Sequence, residues 1–464
     1  MRKAKTIGEL RTTNYGVLSV KQEMRKNLIA KMKTSVELFP GILGYEDTVI
    51  PQVENAILSG QDIIFLGERG QAKSRLIRDL VNLLDEEIPV IAGCEINDNP
   101  YKPICRRCRD KVADEGDRVE ISWLPKRRRY GEKLATPDIT IADLLGEVDP
   151  IKIAEGRYLS DELTIHYGLI PRTNRGIFCI NELPDLAERI QVGLFNLMEE
   201  RDIQIRGYRI TLPLDVYVVA SANPEDYTNR GRIITPLKDR YGSQIRTHYP
   251  RTIGCEIEIM EEEQTVFADD EYSVAVPQYM KEIIAELTSL ARRSPDINQR
   301  SGVSVRVSIS NYENLISNAM RRGIRHSEKR PTPRISDLLY VVVSTVGKIE
   351  METVEEGREE RLVEQLIVKA VTNVFNRYFQ TGDFEELIAS FDAGASVEVS
   401  ELTPSSDYVR YMNEINGFMG GIRKLNGTEE PASIASAVEF ILEGLHLNRR
   451  LNKEKLAGGA RYRG

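Results

Sequence analysis

Eight consecutive residues, Gly67-Glu68-Arg69-Gly70-Gln71-Ala72-Lys73-Ser74, have the types and spacing that hold a phosphate group. Glycine lets the backbone curl until successive N–H groups aim at phosphate oxygens, and a following helix start adds positive potential. In such a loop Lys73 reaches the β- and γ-phosphates, and the Ser74 hydroxyl holds Mg2+. The second glycine of the G-x-x-x-x-G-K-[ST] pattern is replaced by Ala72. The context suits the chemistry. The apolar run QDIIFLG precedes the loop, and SRLIRDLVNLLDE follows it with apolar residues at i, i+3, i+4 and i+7. That is a buried strand, a loop and an amphipathic helix.

A second group lies further on. Ile177-Phe178-Cys179-Ile180-Asn181-Glu182 is an apolar strand ending in two polar residues. A carboxylate there can orient and deprotonate an attacking water, which makes Glu182 a candidate base. Asn181 stands where a magnesium-associated Asp is usual, and offers an amide oxygen without charge. The strand LDVYVVASAN ends in Asn223, which can fix a water against a γ-phosphate or simply start a turn before Pro224. An Arg after an Asp, as in Asp239-Arg240, is more often a solvated ion pair than a catalytic finger, and only its order in the chain favours the finger.

These residues need a scaffold that brings strand ends together. Apolar runs at 61–67, 176–182 and 214–223 alternate with helical segments, which implies an α/β fold with a parallel sheet covered by helices on both faces. DIQIRGYRITL reads as a hairpin. Beyond residue 250 the segments are helical without intervening strands. The basic, Gly-rich tail LNRRLNKEKLAGGARYRG is expected to fray. The expected organisation is an N-terminal helical arm (1–35), a nucleotide-binding α/β core (36–250) with an insert at 94–135, a helical lid (251–345) and a helical C-terminal extension (346–464).

Composition narrows the partners. With 63 Lys and Arg against 71 Asp and Glu the net charge is −8, which argues against a general nucleic-acid binder. Five cysteines are too few for a disulfide framework in a chain of 464 residues. The start lacks the apolar core of a signal peptide, and no run approaches a membrane span. The expected location is the cytoplasm.

Taken in order, the phosphate loop, acidic strand end, Asn-ended strand and Asp-Arg resemble an AAA+ ATPase, specifically the magnesium chelatase I-subunit and MoxR branch. GERGQAKSR is similar to the MoxR loop, where Ala before Lys is common. HYGLIPRTNRGIFCINELPDL resembles the chelatase stretch through the acidic motif, and FNLMEERDIQIRGYRITLPLDVYVVASANPEDY resembles the helix, hairpin and Asn-bearing strand of both. TPLKDRYGSQI resembles an arginine-finger segment, Ser301 to Arg306 a lid arginine motif, and PTPRISDLL the segment closing the lid. The resemblance implies that the Gly67–Ser74 loop binds ATP and that Ser74 and Asn181 attend Mg2+. It also implies that Glu182 is the base, Asn223 the first sensor, Arg240 a finger reaching a neighbouring subunit and Arg306 the lid sensor.

The expected activity is therefore hydrolysis of Mg-ATP, slowed by Asn181, in a homo-hexameric ring. The ring remodels a partner with a von Willebrand A domain, as a chelatase-like or chaperone-like machine. The alternatives are a nucleotide-gated scaffold with little hydrolysis and an enhancer-binding transcription activator. The chain shows neither the activator's characteristic loop nor a convincing DNA-reading helix. Within the insert, Cys105-x-x-Cys108 with Cys94 supplies three metal ligands where zinc usually takes four, so these are expected to be reduced surface thiols. Lys126-Arg127-Arg128-Arg129 is expected to be a solvated or subunit-facing edge, and the four scattered histidines suggest no metal site.

Overall fold

The computed structural model describes residues 3–149, 151, 154, 162–199, 202–204, 211–223, 232–267, 271–299, 301–352, 357–425, 427–456 and 458–464. They form two units, Met1–His248 and Tyr249–Gly464.

In the first unit the strands are β1 (Ile63–Leu66), β2 (Glu87–Ile91), β3 (Ile121–Pro125), β4 (Tyr130–Leu134), β5 (Gly146–Val148), β6 (Ile165–Tyr167), β7 (Gly176–Asn181), β8 (Asp202–Gln204), β9 (Thr211–Pro213), β10 (Val216–Ala222) and β11 (Ser243–Arg246). Five make a parallel sheet in the order β11-β1-β10-β7-β4. Successive side chains of a strand point to opposite faces, and here each face has its own core. Ile63, Phe65, Ile177, Cys179, Tyr217 and Val219 pack with Met24, Leu28, Val53, Leu76 and Ile77. Ile64, Phe178, Ile180, Val218 and Ala220 pack with Ile190, Leu194 and Leu237. The helices on the first face include Val20–Lys33, Val49–Leu58 and Lys73–Asp79, and on the second Glu188–Glu199 and Thr235–Arg240. The fold is the α/β core, a parallel sheet covered by helices on both faces, that the alternation of strands and helices predicts, and it agrees with the P-loop AAA+ core that the resemblance implies. The expected hairpin is present as the antiparallel pair β8 and β9.

The excursion from this sheet has different limits from those expected. Tyr130–Leu134 is the sheet's edge strand, parallel to β7, whereas Glu87–Ile91 pairs with Ile121–Pro125 outside the sheet. The extra segment thus runs from β2 to Arg129, not from 94 to 135. The basic run is not a uniform solvated edge either. Arg129 is fully buried, and its Nη1 and Nη2 donate to the Glu23 carboxylate at 2.7 and 2.6 Å while Nε donates to the Arg175 carbonyl at 2.7 Å. Glu23, on the helix Val20–Lys33, also accepts from the Asp85 N–H. This pair ties the N-terminal arm to the root of β4.

The second unit is built on the helices Ile253–Glu263, Gln278–Ala291, Val305–His326, Arg358–Tyr378 and Pro431–Leu447. A single core runs from Ile257 through Met280, Leu315 and Val374 to Phe440 and Ile441. The lid boundary expected at 345/346 falls inside that core, because Asn373 and Arg377 of one helix bond Glu286 of another across it. The tail does not fray. Asn452–Leu456 (β13) and Gly459–Arg463 (β14) pair with each other and with Ser396–Ser400 (β12) in an antiparallel sheet. Gly444 is needed where Pro431–Leu447 crosses Phe375, since a Cβ there would lie 2.0 Å from the ring.

Breaking a buried ion pair from one side leaves an uncompensated charge, a loss of about 3–5 kcal/mol. Arg129→Met should therefore lower the chemical-denaturation midpoint of the first unit strongly, and the double variant Glu23→Leu/Arg129→Met should recover much of the loss. A single variant within about 0.5 kcal/mol of the parent, the range of ordinary surface changes, would show that the pair does not anchor the arm.

Candidate nucleotide-binding site

Parallel register decides which residues can meet. Leu66 of β1 aligns with Ala222 of β10 and Arg246 of β11, and Ala220 aligns with Ile180 of β7. The residues after each strand, Gly67, Asn223, Thr247 and Glu182, therefore emerge along one edge of the sheet. Ligands of open α/β sheets bind at that carboxyl edge.

The loop is fastened to its neighbours. Gly67 N–H donates to the Ala222 carbonyl at 3.1 Å, and Thr247 N–H to the Leu66 carbonyl at 2.9 Å. Thr247 Oγ1 donates to Gln71 Oε1 at 2.7 Å, and Tyr45 Oη donates to the Gln71 carbonyl at 2.9 Å. A Cβ on Gly67 would lie 1.9 Å from Thr247 Oγ1 and 2.2 Å from Gln71 Oε1, so a side chain there would have to break the bond between those two residues. Gly70 has φ +72°, and Ala72 holds φ +52° at the entrance to the helix Lys73–Asp79. The substitution of alanine for glycine at 72 thus keeps the left-handed turn at some strain, about 1–2 kcal/mol for an L-residue.

Lys73 Nζ donates to the carbonyls of Gly67 and Glu68 at 2.5 and 2.7 Å and to Asn223 Oδ1 at 2.7 Å. Two candidates 150 positions apart are thereby in direct contact. Asn181 and Glu182 are set by Ser221 of β10. Its hydroxyl donates to Asn181 Oδ1 at 3.1 Å and accepts from the Glu182 N–H at 3.2 Å. Glu182 has φ +56°, a left-handed kink as the chain leaves β7. Backbone strain of this kind clusters at functional sites.

Sequence reasoning missed Glu132. From the edge strand β4, its Oε1 accepts from Asn181 Nδ2 at 2.5 Å, and both carboxylate oxygens accept from the Arg78 guanidinium at 3.0 Å. Burial works to raise its pKa, but bonds from Arg78 and Tyr130 outweigh this and hold the carboxyl below its ordinary value. The strand that carries it gives little local signal: YGEKL has no apolar alternation and falls within the segment expected to be an insert. Ser74 Oγ, the Asn181 amide and the Glu132 carboxylate are hard oxygen donors of the sort Mg2+ takes.

Arg240 is not gathered into this cluster. Its guanidinium bonds Glu199 at 2.5 and 3.2 Å and the Pro236 carbonyl at 2.7 Å, and lies 3.5 Å from the Phe195 ring centroid. Its ion partner is therefore Glu199 and not the adjacent Asp239. Arg306 belongs to the second unit, exposed in the first turn of Val305–His326, where its N–H donates to Ser304 Oγ at 3.1 Å.

The phosphate loop, the strand order and the polar strand ends define a P-loop AAA+ ATPase core. No family model matches the chain. It is 24% identical over 391 residues to the magnesium-chelatase subunit ChlI of Synechocystis sp., which covers 78% of this chain and 99% of that protein. Against the chloroplastic ChlI subunit of Oryza sativa subsp. japonica it is 23% identical over 381 residues, covering 75% and 86%. Among solved structures, a chain of the BchI–BchD complex of magnesium chelatase aligns with a TM-score of 0.37 at 19% identity, covering 70% of this chain and 98% of that one. The chain is thus similar, at 22–26% identity, to magnesium-chelatase I subunits.

Restoring the usual acid at position 181 should not be harmless. Asn181→Asp would set a second carboxylate against Glu132, and like charges raise the pair's pKa. A raised folded pKa costs stability as pH rises through it, so the deficit should be small near pH 4 and full at neutral pH. Its size should be about 1–2 kcal/mol, the worth of roughly one pKa unit. Adding Glu132→Gln should remove it. Denaturation of both variants at acid and neutral pH checks this; a deficit independent of pH would refute the carboxylate clash.

Proposed function

We propose that the protein binds and hydrolyses Mg-ATP at the Gly67–Ser74 loop and works as a ring of identical subunits, a hexamer, that remodels a partner protein. The observation that carries this reading is the contact of Lys73 with Asn223, beside a strand end that presents Glu182. Backbone N–H groups of the loop take phosphate oxygens, and Lys73 exchanges its carbonyl partners for the β- and γ-phosphates. Glu182 accepts a proton from the attacking water, and Asn223 orients that water. Ser74 and Asn181 hold Mg2+, with Glu132 supplying nearby the charge that Asn181 lacks; the ion neutralises charge on the phosphates when bound.

Arg240 fits a finger that completes a neighbour's site, and Arg306 a lid sensor for its own. By analogy with the chelatase I relatives, the partner is a D-subunit-like protein with a von Willebrand A domain. The work is chelatase-like or, as in MoxR systems, chaperone-like. Among the described residues no helix is long and apolar enough to cross a membrane, and we place the protein in the cytoplasm. A second reading, a nucleotide-gated scaffold with little turnover, is motivated by the amide at position 181.

Phosphate release and ATP binding measured side by side test these roles. Lys73→Ala should lose binding. Glu182→Gln should keep binding and fall about 100-fold in rate, within the usual range for a general base. Arg240→Ala should bind ATP but lose ring-dependent turnover. A wild-type rate no higher than that of Glu182→Gln would support the scaffold, and unchanged turnover in Arg240→Ala would refute the finger.

A further inference from the structure

The excursion between β2 and β3 contains the one candidate metal-binding cluster of His, Cys, Asp and Glu found among the described residues: Cys94, Asp98, Cys105 and Cys108. One ligand atom from each, three Sγ and a carboxylate oxygen, all lie within 4.8 Å of one another. The fourth ligand that the sequence did not reveal is Asp98. The thiols are not surface groups: Cys105 and Cys108 are buried, Cys94 is half-buried, and none is in a disulfide.

The backbone is shaped around these atoms. After β2, Gly93 at φ +74° and Asn97 at φ +55° turn the chain back, so that the Ile91 N–H donates to the Asp98 carbonyl and Cys94 N–H to the Ile91 carbonyl, both at 3.1 Å. Asp98 N–H donates to Cys94 Sγ at 3.3 Å. Cys105 caps the helix Arg106–Glu115, and its sulfur accepts from the Cys108 N–H at 3.4 Å. Main-chain donors aimed at sulfur favour the thiolate, which is the metal ligand. The second, independent observation is at Asp98. The residue is fully buried; its Oδ2 accepts from the Cys105 N–H at 3.0 Å, while its Oδ1 has no hydrogen-bond partner. A buried carboxylate oxygen left bare is costly, and a cation among the three sulfurs would satisfy it.

We propose that Cys94, Asp98, Cys105 and Cys108 form a structural zinc site. Three thiolates and one carboxylate select a borderline-soft ion over Mg2+ or Ca2+. The spacing suits a single ion, since Zn–S bonds of about 2.3 Å put tetrahedral ligands roughly 3.8 Å apart. An iron–sulfur cluster spreads its thiolates over separate irons and needs more room. Four protein ligands leave no open position, so the ion staples and does not catalyse. What it staples is a two-stranded excursion that packs Ile91, Ile96, Val119 and Ile121 into the unit's larger core and has beside it only a small cluster of Ile88, Val90 and Leu124. The stapled loop in turn braces the sheet. Asn97 Nδ2 donates to the Arg172 carbonyl at 2.7 Å, and Asn174 Nδ2 donates to the Ile96 carbonyl at 3.0 Å, just before β7 begins.

Elemental analysis of the full-length protein, purified without chelator, tests this. About one zinc per chain is expected, with release on titration of the thiols by a mercurial. Replacement by Co2+ should give the sulfur-to-cobalt charge-transfer bands and the intense visible bands of a tetrahedral thiolate site. Cys105→Ser/Cys108→Ser should lose the metal. Should that variant fail to fold, Asp98→Asn, which keeps the shape, should weaken zinc retention against a competing chelator by tenfold or more. Absence of zinc from the native protein even after growth with added zinc would overturn the proposal. So would iron in its place, or an intact mass showing a native Cys105–Cys108 disulfide.

Discussion

Parallel pairing among β1, β10 and β7 is the constraint from which the site follows. Because the three strands run the same way and end nearly level, Gly67, Asn223 and Glu182 leave the sheet side by side, although they come from segments far apart in the chain. The loop can then be short and tightly held. Its carbonyls are close enough to engage its own lysine, and the neighbouring strand supplies the Asn that the lysine also meets. Shift one strand by a single residue and every side chain changes face; the two cores that sandwich the sheet forbid that slip.

Around this arrangement the chain uses buried charge in an orderly way. Arg129 and Glu23 close off the arm, Arg175 donates to the Pro89 carbonyl and to Tyr15 Oη, and in the second unit Arg322 pairs with Asp337, which also accepts from Asn318. Most donors and acceptors of these groups have partners, as burial demands, although Arg322 Nε has none. Asp98 Oδ1 is one of several buried polar atoms among the described residues without a hydrogen-bond partner, and it is the one that lies beside three cysteine sulfurs.

Much of the sheet's carboxyl edge was legible from the residues alone, because it rests on local patterns: an apolar strand, a turn-forming loop and a periodic helix. β1, β7 and β10 and the helix Glu188–Glu199 lie where the hydrophobic periodicity puts them. What stayed hidden depends on distance in sequence. Glu132 and Asn181 are 49 positions apart, and neither signals the other; Asp98 looks like any loop acid until the chain turns back on β2. Arg129 sits in a run of four cations whose burial no local pattern announces. The tail read as loose because β13 and β14 are short, charged and glycine-bearing, and only pairing with β12 makes them strands.

The late position of the helix Pro431–Leu447 and of Tyr462 in the second unit's core has a consequence for how the protein is made. Every strand of the first unit's sheet has been synthesised by Arg246, so that unit can close while translation continues. The second unit has no such early stopping point. Val374, Phe375 and Leu315 wait for Phe440, Ile441 and finally Tyr462 to cover them. Until those late residues emerge, the apolar faces of the earlier helices lack the partners that cover them in the folded unit.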